Sequence, residues 1–153
     1  LHKLCMSNKK IKDLHFIDLN IEIFKNGIYK NFKSVNKDLN LKFYDKINEN
    51  TPKVDFIFTD AVFMYLNIKE TKNTLEDFFM KKPATILIHD FSYDNFINMV
   101  SGFFLDDKNI KSLTRILKEF ATTNNYNIQI SRSEKDEDSY KKYGYDYLLE
   151  KKV

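Results

Sequence analysis

Five side chains able to hold a ligand or move a proton sit where apolar runs give way to polar residues. Asp18 follows LHFI, Asp45 follows LKFY, Thr59 and Asp60 follow VDFIF, and His89 follows ATILI. A carboxylate accepts two hydrogen bonds at once, which suits a vicinal diol. A histidine titrates near neutrality and can take a proton from a hydroxyl or an amine. On that chemistry Asp18, Asp45 and Thr59 are candidates for binding a cofactor, and Asp60 and His89 for catalysis. Each position also has a plainer reading. Asp is a good turn and helix-capping residue, so Asp18, Asp45 or Asp60 could simply end a strand. His89 could line a pocket without reacting.

The elements that would place these residues follow from periodicity. LHFIDL, residues 14 to 19, is a short apolar run bounded by polar residues and reads as a buried strand. Asn20 offers an N-cap to a helix with apolar residues at 21, 24, 28 and 32. LNLKFYD alternates Leu39, Leu41 and Phe43, a strand pattern. VDFIF, residues 54 to 58, is the next strand, and AVFMYL after it forms a turn and wall. Asn67 and Glu70 have the spacing of a capping box at the head of a helix that ends at two lysines and Pro83. ATILI, residues 84 to 88, is a strand. Residues 91 to 107, rich in aromatics, form an excursion. Beyond Asp107, Ile110, Leu113, Ile116, Leu117 and Phe120 mark an amphipathic helix. NIQISRS and YDYLLEK read as an antiparallel pair joined by a long polar loop. Buried strands alternating with amphipathic helices imply an α/β architecture with a mostly parallel sheet. Ligands then bind outside the carboxyl ends of the strands, where the five candidates lie.

Composition narrows the classes. With 153 residues, 42% of them hydrophobic and 31% charged, the chain suits one globular, soluble domain. No apolar run is long enough to span a bilayer, so no membrane partner is expected. The net charge of +3 comes from 25 basic and 22 acidic residues, and arginine occurs only at Arg115 and Arg132. That balance argues against a nucleic-acid partner. One cysteine, Cys5, cannot close an internal disulfide, which fits a reducing, cytoplasmic setting. No metal site is expected: His2 and His15 have no partners at ligand spacing. Phe78, Phe79, Phe103 and Phe104 read as core.

Taken in order, these stretches resemble the class I S-adenosylmethionine-dependent methyltransferases. FIDLNIEIFKNG is similar to that family's second-strand motif, whose acid holds the cofactor ribose, and Asp18 matches the acid. VDFIFTDAVFMYLN resembles the fourth-strand motif, which ends in the cofactor and substrate cleft. FFMKKPATILIHDFS resembles the helix and fifth strand that follow, and the final strand pair the closing hairpin. The resemblance runs over residues 14 to 150 and rests on order and spacing, since each motif alone is weak. It implies a Rossmann-like sheet, S-adenosylmethionine as cofactor and transfer of a methyl group to a small-molecule acceptor.

One feature of the family is not found. Its glycine-rich first turn lies roughly 20 residues before the ribose acid in related sheets. Only 17 residues precede Asp18, and the three glycines are Gly27, Gly102 and Gly144. The expectation is therefore a single methyltransferase-like domain, a fragment without its first strand, with a gap between strands 14–19 and 54–58. The alternatives are a non-catalytic remnant or partner domain of the same fold, and an unrelated Rossmann-like domain acting, for example, on nucleotide sugars.

Overall fold

The computed structural model describes residues 10–60, 62–91, 113–132 and 144–153. The chain divides into two compact units, residues 1–52 and 53–153. The strands form two sheets, one in each unit.

The first unit is a parallel βαβ arrangement. Strand β1 is Asp13–Ile17, helix α1 is Ile21–Val35 and strand β2 is Asn40–Tyr44. The two strands pair in register from Asp13 with Asn40 to Ile17 with Tyr44. Leu14, Phe32 and Leu39 form the buried centre, with Ile11, Phe16, Ile28 and Leu41 packed around them. Phe16 packs edge-on against Phe32 and stacks on Phe43. The head of α1 differs from expectation. The Asn20 side chain makes no capping bond. Instead Asp18 Oδ1 accepts the Asn20 N–H at 2.7 Å, so the acid two residues upstream shapes the turn.

The second unit is built on a four-stranded sheet in the order β3–β4–β6–β5. Its strands are β3 (Phe56–Asp60), β4 (Thr85–Phe91), β5 (Tyr126–Arg132) and β6 (Gly144–Lys151). β3 and β4 are parallel, and β6 runs antiparallel to both its neighbours. Three strands therefore point one way and the last opposes them, as the sequence reading expects.

Helices α2 (Ile68–Met80) and α3 (Leu113–Thr123) cover one face of this sheet. The expected capping box opens α2: Asn67 accepts the Glu70 N–H while Glu70 accepts the Asn67 N–H. The helix ends at Met80 with Lys81 as its C-cap, and Lys82 takes a left-handed φ of 51° just before Pro83. Its Phe79 stacks on Phe120 of α3 and meets Tyr126 of β5 edge-on. Thr114 of α3 lies 2.9 Å from the Tyr147 hydroxyl. Ile86, Ile88, Tyr147 and Leu149 supply the sheet side of this core and are fully buried. Among the described residues no helix is long and apolar enough to cross a membrane. The amphipathic pattern upstream of Leu113, the aromatic excursion beyond Phe91 (with Phe103 and Phe104), His2 and Cys5 lie outside the described residues.

Two strand ends differ from the sequence reading in a way that matters for chemistry. β3 continues through Thr59 and Asp60, and β4 through His89 and Asp90. The parallel ladder pairs Thr59 with Ile88 and Asp60 with His89, so these residues belong to the sheet. Their polar types suggest an exit, but neighbouring strands satisfy their backbone groups, and the strand continues.

Asp90 is fully buried on the helix side, and its Oδ2 accepts the Phe63 N–H at 2.5 Å. Phe63 begins the 3-10 turn Phe63–Tyr65 that follows β3. Asp90→Ala should strand that amide in the interior and cost about 1–3 kcal/mol. A urea titration should show a lower midpoint with an unchanged slope. An unmoved midpoint would mean that Asp90 does not anchor the turn.

Candidate functional site

The site follows from strand register. Asp60 pairs with His89 across β3 and β4, His89 with Asp146 across β4 and β6, and Asp146 with Ser131 across β6 and β5. Side chains alternate between faces along a strand, so the four form one polar row on one side of the sheet. The next row on that side is Phe58, Leu87, Leu148 and Gln129. Both rows line a single cavity of about 430 Å³. It lies on the face opposite α2 and α3.

His89 is the centre of the row and is buried. Its Nδ1 lies 2.5 Å from Asp146 Oδ1, a hydrogen-bond distance. Its Nε2 lies 4.0 Å from Asp60 Oδ1, too far for a direct bond and wide enough for a polar atom to touch both. The imidazole thus lies near two carboxylates, in hydrogen-bond contact with Asp146 and 4.0 Å from Asp60. The Asp60 side chain is 59% exposed, so water reaches it freely.

The sequence candidates fall into three places. Asp60 and His89 are brought together in the cavity. Thr59 is not part of it: it shares a row with Ile88 and Tyr147 on the helix side. Its Oγ1 is buried with no hydrogen-bond partner among the described residues. Asp18 and Asp45 belong to the first unit, each one residue past the last paired positions of β1 and β2. Both are exposed there, and the Asp18 N–H donates to Tyr44 O at 3.1 Å. Asp18 Oδ1 is engaged by Asn20, which leaves Oδ2 to accept from a ligand. In the same unit burial lowers the pKa of His15, with Lys42 adding to the effect. Its ring stacks on Tyr44, and its Nδ1 is buried with no hydrogen-bond partner among the described residues. Among the described residues no three His, Cys, Asp or Glu side chains cluster as a metal site.

Asp146 and Ser131 are the residues that sequence reasoning missed. A single acid in Tyr145-Asp146-Tyr147-Leu148-Leu149 was the available signal, since it interrupts an otherwise apolar strand.

By sequence the chain matches no protein-family model and no curated protein. Solved structures do resemble it. The methyltransferase domain of bacterial CtHen1 aligns over 97% of this chain and 82% of its own, with a TM-score of 0.69 at 10% identity. The small RNA methyltransferase HEN1 aligns over 92% of this chain and 20% of its own, with a TM-score of 0.65 at 12% identity. Magnesium protoporphyrin IX methyltransferase from Synechocystis PCC 6803, with bound SAH, aligns over 90% and 64%, with a TM-score of 0.64 at 9% identity. This chain has the methyltransferase fold. The class I resemblance is therefore right at the level of architecture, including the closing antiparallel strands. The same comparison corrects one expectation. A nucleic-acid partner was set aside on charge balance, yet the methyltransferase fold seen here is shared with an enzyme of small RNA. Net charge sums over a whole surface and says little about what one cleft accepts.

Proposed function

We propose that the chain takes part in methyl transfer from S-adenosylmethionine to a hydroxyl or amine presented in the His89 cavity. The observation that carries this reading is the row Asp60–His89–Asp146 lining a cavity on a methyltransferase-fold sheet. When bound, S-adenosylmethionine supplies an electrophilic methyl group on a sulfonium. His89 accepts the acceptor's proton, and Asp60 orients the acceptor beside it. Methyl transfer to a good nucleophile needs little beyond alignment, so positioning is a large share of the work. Asp18 and Asp45 fit the cofactor by donor chemistry. Both are exposed carboxylates at neighbouring strand ends, and the free Oδ2 of Asp18 can accept from a ribose diol.

A small molecule suits the cavity volume. An RNA end offering a ribose hydroxyl is the second reading, favoured by the likeness to HEN1.

Cofactor binding is tested at Asp18. Asp18→Ala should weaken S-adenosylhomocysteine binding about ten- to hundredfold, the loss expected for hydrogen bonds to a charged group. Calorimetric titration measures this directly. Equal affinity in the two proteins would remove Asp18 from the cofactor site.

A further inference from the structure

We propose that the cavity of the second unit selects an organic cation, with an ammonium group on Asp60, within the field of Asp146, and a flat apolar body over Phe58, Leu87 and Leu148. The inference rests on the methyl-transfer reading above and names the class of acceptor that the same cavity takes.

Charge is the first part of the argument. The cavity lining carries two carboxylates and, among the described residues, no lysine or arginine. The chain as a whole has a net charge of +3, so the sign inside the cavity is opposite to the average. A cleft lined by one sign of charge and walled by apolar groups focuses its field and gathers ions of the other sign. Asp60 and Asp146 lie on β3 and β6, either side of β4, roughly 10 Å apart at ordinary strand spacing. One ammonium can therefore touch Asp60 and still feel Asp146.

The adjoining row supplies the rest. Phe58, Leu87 and Leu148 are register partners across β3, β4 and β6, and all three line the cavity. Directly opposed side chains on one face make a continuous strip, apolar here over three strands. Each stands two residues from the acid row, about 7 Å along its strand. That is the reach of an ammonium group joined by two carbons to a benzene ring. A ligand lying along β3 thus meets Asp60 at one end and Phe58 at the other. The volume of about 430 Å³ is in the range of small-molecule sites.

The test needs no cofactor. Phenethylamine, phenethyl alcohol and phenylacetate share one body and are cationic, neutral and anionic at neutral pH. Each is titrated into the ¹⁵N-labelled chain, and the amide shifts of Asp60, Asp146 and Leu148 locate and measure binding. The amine should bind about three- to fivefold tighter than the alcohol, the worth of a partly exposed ion pair, and phenylacetate should bind weakest. Added salt should narrow the gap. Methylammonium, which lacks the apolar body, should bind about tenfold more weakly than phenethylamine, or worse. Asp60→Asn keeps the side-chain shape and should bring amine and alcohol within about twofold. Glu150→Gln removes the same charge from β6 outside the cavity lining and should keep the preference, which separates a local effect from net charge. Equal binding of the three probes would overturn the proposal, as would a preference for phenylacetate or one that survives in Asp60→Asn. A short RNA that shifts the same amides at lower concentration than the amine would overturn it too. These readouts are independent of methyl transfer. A chain that binds the amine but methylates nothing sinks the proposed function alone, and one that methylates only neutral or anionic acceptors sinks this inference alone.

Discussion

His89→Ala should lower acceptor-dependent methyl transfer by about 10²–10⁴-fold, the usual worth of a positioned general base. Cofactor affinity should stay within about twofold, because the proposed cofactor contacts are Asp18 and Asp45 and do not include His89. The measurement is single-turnover transfer of a labelled methyl group from S-adenosylmethionine to a panel of hydroxyl and amine acceptors. Calorimetry with S-adenosylhomocysteine runs alongside it. The ring is buried and paired to Asp146, so its removal also opens a small space. Asp146→Ala serves as the comparison, since it disturbs the same pair but keeps the imidazole. It should retain more activity than His89→Ala. Equal rates in wild type and His89→Ala would leave alignment as the whole of the catalysis. A matching loss of cofactor affinity would show that His89 supports binding rather than proton transfer.

Leu75→Ala should destabilise the second unit by about 2–5 kcal/mol. Leu75 is fully buried on α2, in the layer formed with Phe78, Phe79 and the sheet residues Ile86 and Ile88. Close-packed surroundings relax only partly, so the lost transfer energy and the cavity add. Leu75→Met keeps most of the volume and should cost less than about 1.5 kcal/mol. Chemical denaturation followed by the tyrosine near-ultraviolet signal would measure both. A change under about 1 kcal/mol for the alanine variant would mean that α2 is not anchored through this residue.

How far the sequence speaks depends on which signal an element uses. The helices were legible because their apolar positions repeat at helical spacing and their ends carry chemical punctuation. Asn67, Glu70 and Pro83 mark α2 as clearly on paper as in space. The strands were legible as apolar runs, but two of their ends were misplaced. Thr59-Asp60 and His89-Asp90 look like turn residues, and only the ladders show that both strands run on through them. Extending each strand by its pleat puts Thr59 on the helix side and Asp60 with His89. The partnership of His89 with Asp146 was not legible. The two are 57 residues apart, and their meeting depends on β6 entering between β4 and β5. No local pattern encodes the register of so distant a ladder. Asp18 was legible by type and position, but its bond to the Asn20 amide was hidden, because both residues compete for the same capping task.

The place of β6 has a consequence for biogenesis. It follows β5 in the chain, yet it lies between β4 and β5. During synthesis β4 and β5 emerge first and have no ladder to each other, so until β6 emerges the sheet lacks its middle strand. Two unpaired edges then wait for residues 144 to 151, a state open to wrong partners. The β4–β6 ladder joins residues far apart in sequence, the kind of pairing that slows folding, while β5 and β6 are neighbours in the chain. Forming the β4–β6 ladder is also the step that carries Asp146 to His89. Completion of the sheet and assembly of the acid–histidine pair are one event, so a nascent chain stalled short of β6 has the histidine without its partner acid.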